Sequence, residues 1–486
     1  MDAALSATEG SMGFSEYSSF DGVGLAELVR KREVTPAELT EAAIERVGRH
    51  NATLNAVVYE GFADARRDAA AELPDGPFRG VPFLVKDLYT PVKGWPMTNG
   101  SRWFGRRISE DDDELVRRYR ASGMVLLGKS NTPEFGITGT TESAYLGPCR
   151  NPWNPQHISG GSSGGAASAV AAGIVPMAHA SDGLGSIRIP AACCGLVGLK
   201  TTRDRNPIRS PEAGGIMFSV NHIVSRTVRD SAAMLDWTGR PQKYAYFAPP
   251  AKDRPYVEEL TARPQKLKIA FHPEPPARTP LHPDVARTLE ATVRVLRELG
   301  HEVIEKPLRI DWRKLYRAQG VWSAGNFAGM MADHVAILGR PPGDDDIERL
   351  SRSIWEAGKR VSAEMHFQAE HVLKDLILEL LAQWDEHDLF LCPTTVTPPP
   401  QVGYIDPVAL DPKELNHRQA ITFGFTPPFN FTGQPAISLP LGQSADGLPI
   451  GMMFAARYAD EATLFRVAAQ LEEAMPWRDR RPPVWG

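Results

Sequence analysis

The residues with chemistry to offer are concentrated in one stretch. Gly160-Gly161-Ser162-Ser163-Gly164-Gly165 is followed, 17 positions after Gly165, by Asp182-Gly183-Leu184-Gly185-Ser186-Ile187-Arg188-Ile189-Pro190. Gly, Ala and Ser fill 23 of the 41 positions from 160 to 200. Such density lets backbone approach backbone, or backbone approach a substrate. Four readings compete. A phosphate loop would hold an anion at a helix start, but G-x-x-x-x-G-K-[ST] is absent. A nucleophile elbow, G-x-S-x-G, matches Gly160, Ser162 and Gly164 and needs an acid and a His further along, for which His222, His301 and His334 are available. Against it, such an elbow usually follows an apolar strand, whereas residues 153–158 are polar and include Pro155. The third reading is a Gly-rich crossing with no chemistry. The fourth is a hydrolase in which two serines and a lysine share a proton. A serine hydroxyl is a weak nucleophile and needs a base. A neutral lysine can serve if burial lowers its pKa from about 10.4. Lys86 closes the apolar run Val81-Pro82-Phe83-Leu84-Val85, the approach such a lysine needs. On spacing alone Lys86 reads as a solvated strand-end lysine.

The elements that would position these residues alternate along the chain. Residues 1–75 read as helical, with Leu39, Ala42, Ala43 and Val47 near helical spacing and Thr35-Pro36 as a capped start. Residues 80–87 form a short apolar run ending in charge, a buried strand that delivers Lys86 to an edge. A helix is expected over 113–122 and a second buried strand over 123–129. A small-residue helix at 164–173 precedes a strand at 174–180 and a further short apolar run at 196–200. A helix at 228–235 and a Pro-rich surface excursion at 247–255 come next, then strand 267–271, helix 283–299 and strand 301–305. Residues 311–385 are mostly helical and rich in aromatic and Met positions, and strands return at 389–392 and 436–441. Alternation of this kind predicts an α/β fold. The length of 486 residues suggests roughly three domains as a prior, but no repeat or long linker divides the chain.

The totals exclude several classes. The net charge is −5, with no basic footprint for nucleic acid. The short acidic clusters at 111–114 and 344–346 read as solvated loops or helix starts. Cys149, Cys193, Cys194 and Cys392 lack metal-site spacing and read as small buried residues in a reducing compartment. Residues 159–181 carry no Asp, Glu, Lys or Arg before Asp182, but small side chains and Pro176 argue for a packed buried element rather than a membrane span. The N-terminal stretch lacks a basic start followed by an apolar run, so a cytoplasmic protein is the default.

Longer motifs decide among the four readings. GGSSGG at 160–165, SDGLGSIRIP at 181–190 and CCGLVGLK at 193–200 resemble the amidase signature family, as do GVPFLVKD at 80–87 and GKSNTPEFG at 128–136. Asn430-Phe431-Thr432-Gly433-Gln434-Pro435-Ala436 matches a C-terminal segment of that family. The resemblance runs from about residue 20 to 480. The wording at 150–154 and 175–182 is most similar to the branch containing cyclic nylon-oligomer hydrolases, with related amidases and urethanases.

The resemblance implies one amidase-signature domain over 1–486, with a central mixed twisted β-sheet flanked on both sides by helices. Within it, 1–75 would be an N-terminal helical region, 76–240 the catalytic core, 311–385 a pocket-shaping helical region, and 386–486 a return to the core. It implies Ser186 as nucleophile, Ser162 as a bridging serine held by a cis peptide, and Lys86 as base. The oxyanion site would be backbone N–H groups of Gly183, Leu184, Gly185 and Ser186. Such donors are commonly worth ~3–4 kcal/mol each. Ser163 and Asp182 would support the loop, and Arg188 would form an ion pair behind it. The family usually has Gly where this chain has Leu184. If that position needs positive φ, Leu is strained; otherwise its N–H survives and its side chain projects towards the acyl pocket. Tyr145, Trp322 and Met330 join Leu184 as substrate-pocket candidates.

The function implied is hydrolysis of apolar small or oligomeric amides through an acyl-enzyme, extending to carbamate or ester bonds. Two alternatives are a glutamine-hydrolysing subunit of a tRNA-dependent amidotransferase and a non-catalytic binding scaffold. The same reading expects no metal or other cofactor, no nucleic-acid or membrane partner, and a monomer or homodimer.

Overall fold

The computed structural model describes residues 14, 16–105, 107–208, 218–242, 245 and 247–486. Most of the N-terminal stretch read above for a leader lies outside them. Eleven strands form one sheet: β1 (Val57–Glu60), β2 (Pro82–Lys86), β3 (Val125–Ser130), β4 (Met177–Asp182), β5 (Val197–Lys200), β6 (Val220–Ser225), β7 (Lys268–Phe271), β8 (Glu302–Glu305), β9 (Leu389–Pro393), β10 (Ala436–Gln443) and β11 (Pro449–Ala456). Their order is β1-β3-β2-β4-β6-β5-β10-β11-β9-β7-β8. The sheet is mixed: β3, β2 and β4 run parallel, as do β9, β7 and β8, and the remaining pairs are antiparallel. The fold is a single α/β domain, as expected.

Helices cover both faces, and strand alternation shows why. In β11, Ile450, Met452, Phe454 and Ala456 enter a core shared with the helices Pro283–Glu298 and Glu461–Ala474. The intervening Met453 and Ala455 enter a second core under the helices Trp312–Leu338 and Ala363–Leu381. A period of two thus feeds two layers. Towards β1, the helices Gly22–Lys31, Pro36–Leu54 and Gly164–Ala171 join a third core with β2, β3 and β4. Thr35 and Glu38 form the capping box that starts the Pro36–Leu54 helix.

Three differences from the sequence reading matter. Residues 1–75 are not wholly helical, because β1 adds to the sheet edge by pairing with β3. Its four residues, Val57-Val58-Tyr59-Glu60, are too short for a periodic signal yet suit a pleated edge. Second, residues 188–194, to which no element was assigned above, form a short helix. Third, β11 follows β10 as a hairpin partner that its Gly451 and double Met disguised. Residues 159–180 are buried throughout, and no helix among the described residues is long and apolar enough to cross a membrane.

Candidate active site

Parallel pairing of β2 with β4, Leu84 opposite Ala178, brings the C-terminal ends of both strands together. Ligand sites in α/β sheets gather at such strand ends. Lys86 ends β2 and Asp182 ends β4, and the loop from 183 to 187 then carries Ser186 into the Arg188–Cys194 helix. Ser162 arrives from the other side, on the turn before the Gly164–Ala171 helix. The Gly161–Ser162 peptide is cis. A side chain at residue 161 would sit 2.4 Å from the Thr140 carbonyl oxygen, so glycine is what lets this turn approach.

Lys86 is buried, and its Nζ donates to Ser162 Oγ at 2.7 Å and to Ser181 Oγ at 3.0 Å. Burial pulls its pKa down to about 7, against the opposing pull of Asp182. A lysine that is partly neutral near pH 7 beside a serine hydroxyl can accept that hydroxyl's proton. Its backbone N–H donates to His179 Nδ1 at 3.3 Å. His179 is held neutral, its pKa pushed down to about 3 by burial and then by Lys86. No hydrogen bond joins His222, His301 or His334 to Ser162: His222 Nε2 pairs with Ser231, His301 Nε2 with Gln470, and His334 packs on Phe104. The elbow reading therefore lacks its histidine.

Behind the loop, Asp182 is the organising charge. Its carboxylate accepts from Arg188 Nε at 2.9 Å and Nη2 at 3.0 Å, from Asn430 Nδ2 at 2.9 Å, and from the N–H groups of Gly185 at 2.6 Å and Ile187 at 3.2 Å. Burial raises its pKa, but the Arg188 charge and hydrogen bonds outweigh that and hold it down at about 2. Asp182 and Arg188 have no exposed side-chain surface, so this is a fully buried, bidentate ion pair. Ser163 Oγ donates to the Ser181 carbonyl at 3.2 Å and accepts from the Ser181 N–H at 3.3 Å, tying the Ser162 turn to β4.

Hydrogen bonds through Ser181 join Lys86, Ser162 and Ser163, while Asp182 separately holds the loop that carries partly buried Ser186; among the described residues no hydrogen bond joins Ser186 Oγ to Ser162. The predicted donor set changes in one respect: the Gly185 N–H is spent on Asp182. The N–H groups of Gly183, Leu184 and Ser186 have no acceptor among the described residues. Leu184 does not have a positive φ, so the strain alternative falls, and its side chain is 37% exposed.

The other pocket candidates lie further out. Trp322 is buried against Phe218, ring centroids 4.7 Å apart. Met330, on the same helix, is buried among Phe135, Phe327 and Trp103, and Tyr89 Oη donates to its Sδ at 3.1 Å. Tyr145 sits on the 142–148 hairpin with Arg102 over its ring, and no hydrogen bond joins it to Lys86, Ser162 or Ser186. The sequence reading assigned no role to Ser181, His179, Asn430 or Thr426. Asn430 opens a motif quoted above. Thr426, 242 residues from the Leu184 carbonyl it contacts, carries no local signal. No group of His, Cys, Asp and Glu that could hold a metal ion occurs among the described residues.

The family Amidase matches residues 38–465. A 6-aminohexanoate-cyclic-dimer hydrolase of Paenarthrobacter ureafaciens is 37% identical over 480 residues, covering 96% of each chain. An acylamidase of Rhodococcus erythropolis is 32% identical, covering 94% of this chain and 96% of its own. A solved 6-aminohexanoate cyclic dimer hydrolase complexed with substrate superposes with a TM-score of 0.88 at 35% identity, over 96% of this chain and all of that one. A solved chain of the glutamyl-tRNA(Gln) amidotransferase from Thermotoga maritima is similar in fold alone, at 24% identity and a TM-score of 0.75 over 97% of this chain and 99% of that one. Matched nearly end to end, the chain belongs to the amidase signature family, hydrolases of carbon–nitrogen bonds.

Proposed function

We propose that the chain hydrolyses apolar amides, cyclic or linear, small or oligomeric, through an acyl-enzyme on Ser186. The observation that carries this reading is Lys86, buried with its pKa lowered to about 7 and its Nζ 2.7 Å from Ser162 Oγ. As Ser186 Oγ bonds to the carbonyl carbon, its proton passes to Ser162 and that of Ser162 to Lys86. The carbonyl π pair becomes an oxyanion facing backbone N–H groups of the 183–186 loop. When the tetrahedral species collapses, the C–N bond breaks and the leaving nitrogen takes the proton back along the relay. Water then attacks the ester, gives its proton to the relay, and the departing Ser186 oxygen recovers it.

The relatives named above favour an amide of the 6-aminohexanoate oligomer type, and the acylamidase relative favours linear acyl amides. A carbamate presents the same carbonyl to the same donors, so carbamate and ester cleavage belong to this reading. Cytoplasmic placement, as a monomer or homodimer, belongs to it too; four buried free thiols fit a reducing compartment. The test is a substrate panel of anilides, aliphatic amides, linear and cyclic amide oligomers and dicarbamates, with Ser186→Ala as control. Turnover of amides that vanishes in Ser186→Ala is expected. Near wild-type activity in that variant, or a phenylmethylsulfonyl adduct on Ser162 instead of Ser186, would overturn the assignment.

A further inference from the structure

The 183–186 loop contains one peptide unit that is held at both ends. The Leu184 carbonyl accepts from Thr426 Oγ1 at 2.6 Å, and the Gly185 N–H of the same peptide donates to Asp182 Oδ1 at 2.6 Å. A peptide unit is planar, so fixing its oxygen and its hydrogen fixes its whole plane. The flanking peptides supply the Leu184 and Ser186 N–H groups, neither of which has an acceptor among the described residues. The clamp therefore removes the middle donor and sets the orientation of its two neighbours.

Thr426 is built into this arrangement. It is fully buried, and its carbonyl accepts from Arg188 Nη1 at 2.8 Å, the same guanidinium that pairs with Asp182. Thr426, Arg188, Asp182 and the Leu184–Gly185 peptide form a closed circuit. Residue 185 has φ +137°, and a Cβ there would lie 2.2 Å from Thr426 Oγ1. Glycine at 185 is thus required for the hydroxyl to reach the loop, whereas residue 184 contributes only backbone groups and tolerates Leu.

We infer that Thr426 is a positioning residue: with Asp182 it locks the Leu184–Gly185 peptide so that the flanking Leu184 and Ser186 N–H groups are oriented as oxyanion donors. The inference rests on Ser186 being the nucleophile, so the experiment first checks that on the wild type, by mapping a phenylmethylsulfonyl adduct. A Ser186 adduct establishes the base reading; an adduct elsewhere overturns that reading and the inference with it. Thr426→Val, which keeps shape and removes the hydroxyl, and Thr426→Ser, which keeps the hydroxyl, are then compared. The probe is an aryl trifluoromethyl ketone, whose carbonyl carbon bonds Ser186 Oγ and whose oxygen becomes the oxyanion.

The expected result is a kcat lowered about 10- to 100-fold in Thr426→Val, with KM within about twofold and ketone affinity falling in parallel with kcat/KM. Thr426→Ser should recover kcat to within about threefold. A Ser186-labelled wild type with unchanged kcat or unchanged ketone affinity in Thr426→Val would overturn the inference. So would a Thr426→Ser variant as impaired as Thr426→Val, because that would trace the loss to packing and not to the hydroxyl. If Thr426→Val does not fold, ketone affinity and kcat of the Ser variant decide: wild-type values of both support the clamp, and a tenfold loss of both contradicts it.

Discussion

The strand ends around Lys86 and the helical layer from Trp312 to Leu381 are built on different principles. At the strand ends nearly every functional side chain has a named directional partner. Lys86 meets Ser162 and Ser181, Asp182 meets Arg188, Asn430 and two N–H groups, and Ser163 meets the backbone of Ser181. In the helical layer, Trp322, Phe327, Met330 and Met331 sit in apolar clusters. Its polar ties to the core are fewer, among them Glu134, which accepts from the Glu348 N–H and Ser351 Oγ. Directional bonds fix positions to tenths of an ångström and fail sharply when a partner is lost. Apolar packing tolerates volume-conserving exchange at small cost. The proposed chemistry is therefore held in the rigid half, and the proposed substrate wall in the half that can be reshaped.

The largest way to break this comparison is at Lys86. Lys86→Met should lower kcat by at least about 10⁴-fold, since among the described residues no other base hydrogen-bonds Ser162. The same variant should be more stable. The folded pKa of Lys86, about 7, lies below the unfolded ~10.4, so the unfolded chain binds more protons between these values. Burying this lysine therefore costs stability in full below pH 7, and the cost fades as pH rises towards 10. Lys86→Met should raise Tm by several degrees at pH 6 and by little at pH 10, as read by calorimetry. A melting temperature lowered at both pH values would contradict it.

Next is Asp182→Asn, which leaves the Arg188 charge buried without its counter-charge. Breaking a buried pair from one side costs about 3–5 kcal/mol, so denaturant titration should show a loss of that order together with collapse of kcat. Retained stability would mean that Arg188 finds another anion. Smaller effects are expected towards the wall. Leu184→Gly should alter relative kcat/KM across a series of acyl chain lengths by about tenfold, the lower end of what one methylene of contact is worth. A flat ratio would remove Leu184 from the acyl pocket. Trp322→Phe should shift KM for bulky substrates about two- to fivefold and leave kcat and Tm nearly unchanged. A loss of kcat comparable to that of Asp182→Asn would erase the distinction between the two regions.

The two halves also differed in how well they could be read from the chain. The strand-end half was legible because its residues are close in sequence. Ser162, Ser163, Asp182, Ser186 and Arg188 lie within 27 positions, and Lys86 follows an apolar run. What escaped notice there arrives from far away: Thr426 reaches Leu184 across 242 residues, and no local pattern marks it. The full set of loop N–H donors also misled, because only a side-chain geometry reveals that Asp182 takes the one from Gly185. In the helical half, residues 311–385 are mostly helical as expected, but their aromatic and Met content does not show which rings face which cluster. Trp322 turned towards Phe218 and Met330 towards Phe135 and Tyr89, choices set by tertiary packing and not by periodicity. The short edge strand β1 was lost within a helical region for a related reason, since its pairing with β3 is non-local.

In the proposed relay, neutral Lys86 activates Ser186 through Ser162. The most direct measurement is the single-turnover acylation rate with an aryl acyl ester from pH 5 to 10, with the acyl group located by peptide mass spectrometry. The account predicts acyl on Ser186 and a rate that rises about tenfold per pH unit below 7, bends near pH 7 and then stays level. A rate independent of pH across that range, or an acyl group on Ser162, would contradict it.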